Sequence, residues 1–147
     1  MDKKMEEFVL DILQSHRILT LATLRDDGYP QANTVSYAND GLTIYFVTGA
    51  TSSKVRNISN CNKVSLTIDR DYADWSKIKG VSMGAIAEVM TNPEEIEKAM
   101  GLLMQKFPAL QEMPEPEEPP AVIKITPEIV SVLNYGVEFG HTDLVEV

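Results

Sequence analysis

The stretch VTGATSSKVRNISN, residues 47–60, gathers Gly49, the hydroxyls of Thr48, Thr51, Ser52 and Ser53, and the cations Lys54 and Arg56 between two apolar alternating runs. It is not a Walker loop. Ser53 rather than glycine precedes Lys54, and Val55 follows where a serine or threonine would bind magnesium. The case for an anion site stands apart from that motif. A helix beginning here presents unpaired N–H groups and about half a positive charge, to which Thr51, Ser52 and Ser53 add hydroxyl donors. Lys54 in the first turn is a cation at the positive end of a dipole, and a bound phosphate would account for it. Two readings stay open: a capped helix with Lys54 and Arg56 in solvent, or a phosphate cradle. Gly41 to Ile68 contains no Asp or Glu, although the chain has 22 of them. That fits a strand-rich region or one that tolerates an anion.

The other reactive side chains offer less. His16 and His141, the only histidines, are far apart and outside any HxxxH or HExxH pattern, which argues against a histidine metal site and a catalytic triad. Cys61, between Asn60 and Asn62, reads as structural. Asp69, Asp71 and Asp74 crowd one segment but lack the glycine and terminal glutamate of an EF-hand, so a solvated acidic loop is expected.

The elements that must position residues 47–60 follow from periodicity. Met5, Phe8, Val9, Ile12 and Leu13 recur at helical spacing over residues 2–15. RILTLATL (17–24) reads as a strand and RDDGYP as a turn; QANTVSYA (31–38) is a second strand and NDG (39–41) a hairpin signal. In LTIYFVT (42–48), Leu42, Ile44 and Phe46 alternate with Thr43, Tyr45 and Val47. The helix after it takes Thr51 or Ser52 as N-cap and turns Val55 and Ile58 inward. NKVSLTI (62–68) is a strand and DRDYADW (69–75) a loop. IKGVSMGAIAEVM (78–90) is a long strand in which Gly80 and Gly84 imply bulges or sharp bends. Residues 91–107 form the clearest helix, capped by Thr91 or Asn92, with Pro93 at its start. QEMPEPEEPP (111–120) is an acidic, proline-rich loop. AVIKITPEIVSVLNY (121–135) reads as two short strands broken at Pro127, before the tail GVEFGHTDLVEV.

About six mostly hairpin-ordered strands with three helices predict a mainly β, α+β fold: an antiparallel closed or split β-barrel with helices outside it. The 147 residues suit a single domain, 1–147, and 44% hydrophobic content suits a folded core. A net charge of −9 repels nucleic acid and anionic membranes, and no apolar run approaches a membrane span. A lone cysteine and a charged, amphipathic N-terminus give the expectation of a cytoplasmic protein.

The pieces LATLRDDGYP, NTVSYANDGLTIYFVT, TSSKVRNISNCNKVSLTI and GVSMGAIAEV, in this order, resemble the FMN-binding split-barrel flavoproteins related to pyridoxamine phosphate oxidase. The resemblance covers about residues 15–107. The terminal ITPEIVSVLNY and FGHTDLVEV are similar to those of the small, single-domain, general-stress-protein-like members. It implies a homodimer holding FMN in clefts at the subunit interface. By resemblance, Ser53 and Lys54, with Ser52 beside them, hold the cofactor's phosphate. Val47 and Thr48 lie along the flavin, Asn33, Thr34 and Val35 face it from the neighbouring strand, and Trp75 is either a core or interface tryptophan or a candidate to stack on a ring from the partner subunit.

The departures define the expected activity. Asn33 stands where the oxidase has an arginine, Ser53-Lys54 where it has Arg-Lys, and no arginine follows Arg70 nor tryptophan Trp75. The substrate clamp of the oxidase is therefore missing while the flavin cradle remains. That implies an FMN-dependent oxidoreductase of unidentified substrate. The alternatives are a non-catalytic flavin-binding stress or sensor protein, or a split barrel using deazaflavin or haem, with His141 as the haem candidate.

Overall fold

The computed structural model describes residues 1–137 and 142–147. Helix α1 (Lys3–Ser15) starts where the Asp2 carboxylate accepts the Met5 N–H at 2.8 Å, and its helical spacing buries Val9, Ile12 and Leu13. Strands β1 (Ile18–Leu24) and β2 (Pro30–Ser36) pair across a turn containing Gly28, whose φ of 87° suits glycine. Strands β3 (Ala38–Asp40) and β4 (Thr43–Gly49) pair across a second turn, with Gly41 at φ 58°. Helix α2 (Ser53–Asn60) leads to β5 (Lys63–Ile68), a 3-10 turn at Trp75–Lys77 and β6 (Lys79–Val89). Helix α3 (Pro93–Lys106), capped by Asn92, runs into a 3-10 turn at Pro108–Gln111. Strands β7 (Pro120–Asn134) and β8 (Thr142–Glu146) complete the order.

All neighbouring strands are antiparallel, in the order β2-β1-β5-β6-β7-β4-β3, with β8 also on β7. Strands β2 and β3 lie at opposite ends of that order, yet only Tyr37 separates Ser36 from Ala38 in the chain. Two trans peptide steps span at most about 7.6 Å, so the two edges of the sheet must curl until they meet. This is the mainly β antiparallel split barrel expected, with eight strands among the described residues rather than about six. Tyr37 itself interrupts the expected 31–38 strand. It is fully buried, and its hydroxyl donates to Leu13 O at the end of α1 at 2.7 Å. Lys106, at the end of α3, lies 3.9 Å from the centre of the Tyr37 ring.

The largest departure from the expected elements is at Pro127. Residues 120–134 form one strand, not two, because Pro127 falls at a bulge. Gly84 pairs with Ile129 and Ala85 with Pro127, so Glu128 is the extra residue and the proline sits at an irregularity, where strands tolerate it. Gly84 thus marks a bulge, as expected. Gly80 does not: it pairs in register with Leu133, and the backbone of Ile68 approaches so closely that a Cβ would lie 2.8 Å from its carbonyl oxygen.

The barrel interior holds Leu19, Leu21, Ile44, Phe46, Leu66, Ile68, Met83, Ile123 and Ile125, closed by α1 through Val9, Ile12 and Leu13. The alternation in β4 places Ile44 and Phe46 inside. Tyr45, on the other face, is also only 3% exposed, because α3 packs there around Ala99 and Val122. No helix among the described residues is long and apolar enough to cross a membrane.

Candidate functional site

The end of β4 and the start of α2 are tied together by small polar side chains. Ser52, not Thr51, is the N-cap: its Oγ accepts the Val55 N–H at 3.4 Å, and the Thr48 hydroxyl donates to it at 3.2 Å. Both acceptor positions of Ser52 Oγ are thereby used, which leaves its own proton as the free donor of the hydroxyl. The Ser52 N–H is spent on Gly49 O at 3.1 Å. Thr51 gives its N–H and its hydroxyl to the carboxylate of Glu118. These two hydrogen bonds hold the Glu118 carboxyl below the usual carboxylate range. The run from Gly41 to Ile68 is acid-free in sequence but not in space.

The cleft beside this turn arises from the split in the barrel. Among the described residues β2 pairs only with β1, and β4 pairs with β3 only through Thr43, Ile44 and Tyr45. Past Tyr37 these two edges part, and among the described residues their facing backbone groups have no ladder partners. Thr34, Val35 and Ser36 line one side of the resulting cleft, and Val47 and Thr48 the other, with Lys54 reaching in from α2. Its volume is about 470 Å³. The remaining wall is apolar and comes from α3 and the segment after it: Leu103, Phe107, Ala109, Leu110 and Met113. Lys54 makes no ion pair among the described residues.

Five of the nine residues expected at the site therefore meet in one cleft: Thr34, Val35, Val47, Thr48 and Lys54. Ser52 caps the helix that carries Lys54. Asn33 is half-buried next to Thr34, opposite Leu21 on β1, and does not line the cleft. Ser53 opens onto a neighbouring polar pocket of about 380 Å³ lined by Arg25, Asp26, Asp27, Gln31, Arg56 and Asn57. Ser53, Arg56 and Asn57 recur at i, i+3 and i+4, so they share one face of α2. Within the pocket, Asn57 is 4% exposed and donates to Thr23 Oγ1 at 3.0 Å and Gln31 Oε1 at 3.1 Å. The first turn of α2 thus stands between an apolar cleft and a polar pocket, and β2 borders both. Trp75 is 64% exposed just before β6, at the opposite end of that strand from Val89, so this chain does not bring it to its own cleft.

The order of residues gives no sign of the apolar wall. The helical spacing of α3 accounts for Leu103 as core, and nothing in the order of residues tells that Phe107, Leu110 and Met113 continue its surface past the helix end. Two of them, Leu110 and Met113, are exposed large hydrophobic side chains.

The histidines divide. His16 is buried: its Nδ1 lies 2.9 Å from Ile12 O, and its Nε2 accepts from Arg70 Nε at 3.1 Å. The Arg70 bond fixes the proton on Nδ1, where it serves the C-terminal end of α1. Burial first, and then the Arg70 charge, lowers the His16 pKa. With both nitrogens engaged, His16 is no ligand for a metal or haem. His141 lies outside the described residues. Among the described residues no cluster of His, Cys, Asp or Glu could hold a metal ion, and Cys61 is a free, half-buried thiol.

Comparison with known proteins agrees with this architecture. Over 129 residues the chain is 26% identical to general stress protein 26 of Bacillus subtilis (strain 168), covering 87% of each chain. The crystal structure of general stress protein 26 from Bacillus anthracis superposes with a TM-score of 0.71 at 20% identity, covering 97% of this chain and 98% of that one. A haem-binding protein from Mycobacterium smegmatis superposes with a TM-score of 0.81 at 20% identity. That match covers 99% of this chain, which spans only 59% of the mycobacterial protein's length. Residues 5–134 match the family described as Pyridoxamine 5'-phosphate oxidase. The chain belongs to the pyridoxamine 5'-phosphate oxidase family, built on the split barrel that family shares.

Proposed function

We propose that this chain is an FMN-binding flavoprotein, acting as an oxidoreductase on a substrate other than pyridoxamine phosphate. The observation that carries the reading is the cleft at the split. It has an apolar wall (Val35, Val47, Leu103, Phe107, Leu110), backbone edges that lack ladder partners among the described residues, and Lys54 from the first turn of α2, whose N-cap is Ser52. A flavin mononucleotide has the complementary distribution: a flat, largely apolar ring system with polar rims and a phosphate carrying nearly two charges. The donor set fits.

In this reading Lys54 and the N-terminus of α2 neutralise the phosphate with Ser52 as hydroxyl donor, while Ser53 faces the neighbouring polar pocket. Thr34, Val35, Val47 and Thr48 orient the ring, and Leu103, Phe107 and Leu110 exclude water from it. When bound, FMN supplies hydride and single-electron transfer. No side chain at the cleft is assigned as a general acid or base. Asn33 sits one residue from the ring-facing pair on β2. A homodimer would bring further groups to the open side of the cleft, and Trp75, exposed in this chain, is the ring offered by the partner subunit. The single unpaired cysteine is consistent with a reducing, cytoplasmic setting.

Haem is the second reading, favoured by the likeness to the mycobacterial haem-binding protein. Its candidate ligand is His141, since His16 is held by Arg70 and Ile12 O. Lys54→Ala separates the two. A charge-assisted hydrogen bond contributes about 1.5–3 kcal/mol, so the variant should bind FMN about tenfold to a hundredfold more weakly and riboflavin, which lacks the phosphate, no differently. Equal FMN affinity in the variant would move the phosphate away from α2.

A further inference from the structure

The acidic segment after α3 runs from the apolar wall of the cleft to the turn that precedes α2. At its start Phe107, Ala109, Leu110 and Met113 form the apolar wall. At its end the Pro119 carbonyl accepts the Ala50 N–H at 2.9 Å, and the Glu118 carboxylate takes both the N–H and the hydroxyl of Thr51. Between these anchors lie Glu112, Glu115 and Glu117, three prolines and no cation. Thr51 immediately precedes the Ser52 N-cap, so an internal anion is already bound at the turn that opens the positive end of α2.

The fold makes room for this contact. A Cβ on Gly49 would come within 2.6–2.7 Å of the Glu118 carboxylate atoms. Gly49 does not have the positive φ that requires glycine. Its lack of a side chain therefore matters here for the space it leaves Glu118.

We propose that segment 107–119 is a strap over the ligand cleft with Glu118 as its latch, and that the latched carboxylate opposes the binding of a phosphate-bearing ligand at α2. This rests on the assignment of the FMN phosphate to Ser52–Lys54. The carboxylate and the phosphate are like charges bound at adjacent positions of one turn, and each raises the cost of placing the other. Binding of the phosphate is therefore coupled to release of the latch, and the affinity of the cleft is set below what Lys54 and the helix end would give alone. The strap discriminates by charge: it acts on FMN and not on the same ring system without a phosphate.

Equilibrium titration of the intact protein with FMN and with riboflavin, read by flavin fluorescence, tests this in two independent variants. Glu118→Gln removes the charge and keeps the shape. Gly49→Ala keeps the charge and pushes it off the turn, because the atoms a Cβ would meet are the far end of a flexible side chain. Both variants should bind FMN about tenfold tighter than the wild type, with the gain shrinking at high salt, and riboflavin affinity should not change. Wild-type FMN affinity in Glu118→Gln, or equal gains for FMN and riboflavin, would overturn the latch. If the wild type binds no FMN but the variants do, the latch stands in its strongest form. If neither the wild type nor either variant binds FMN or riboflavin, the assignment of the cleft itself fails, and the latch with it.

Discussion

Removing the Tyr37 hydroxyl tests why the barrel closes where it does. Tyr37 is the one residue between the two edge strands, it is fully buried, and its hydroxyl donates 2.7 Å to Leu13 O. In Tyr37→Phe that carbonyl keeps only the Lys106 ammonium, 3.4 Å away. Loss of a buried hydrogen bond with a partly compensated acceptor costs about 1–2 kcal/mol. With an unfolding entropy of about 2.1 cal/mol/K per residue, the 147 residues give about 0.3 kcal/mol/K. The melting temperature should therefore fall by about 3–6 °C, read by scanning calorimetry on the ligand-free protein. Phenylalanine keeps the ring under Lys106, whereas Tyr37→Leu loses it as well and should fall further. A Tyr37→Phe protein that melts within about 1 °C of the wild type would show that this hydroxyl does not anchor the closure, and that α1 is held by its apolar face alone.

Two further predictions concern the frame. His16 has a lowered pKa in the folded state, so between that value and about 6.5 the unfolded chain binds more protons than the folded one. Its contribution to stability is present above about pH 6.5 and lost as the pH falls through that window. Arg70→Gln should raise the His16 pKa in an NMR titration and shrink that loss, and an unchanged His16 titration would remove Arg70 as a cause. Gly80→Ala drives a Cβ toward the Ile68 carbonyl and should cost about 1–3 kcal/mol in urea denaturation. Gly101→Ala, exposed in mid-α3 with open space around it, should instead gain about 0.5–1 kcal/mol. The same sign for both would refute the packing assigned to Gly80.

Much of the frame is legible in the order of residues because it rests on local rules. Helical spacing marks Val9, Ile12 and Leu13, alternation marks Ile44 and Phe46, and a hydroxyl before a cation-bearing turn marks α2. What the sequence hides is non-local. Pro127 reads as a break because its bulge exists only opposite Gly84 and Ala85, some forty residues earlier in the chain. Tyr37 reads as one more strand residue, since only closure of the sheet turns it into a corner. Tyr45 sits on what alternation makes an outer face, until α3 covers it. At the cleft, Thr34, Val35, Val47, Thr48 and Lys54 follow from a family pattern. The wall of Leu103, Phe107, Leu110 and Met113 belongs to elements whose docking no local rule specifies. Glu118 is the sharpest case. It lies 67 residues from Thr51 in a segment that reads as a solvated acidic loop, yet its carboxylate meets the acid-free turn.

The central claim is that the split of this barrel holds FMN. It is tested most directly by the absorption spectrum of the purified protein, followed by titration of the ligand-free form with FMN and, separately, with haemin. A flavin spectrum is expected, or saturable quenching of FMN fluorescence at one FMN per chain, with the affinity about tenfold to a hundredfold weaker in Lys54→Ala. A protein that binds no FMN but takes up haemin with a Soret band would contradict it and transfer the cleft to haem.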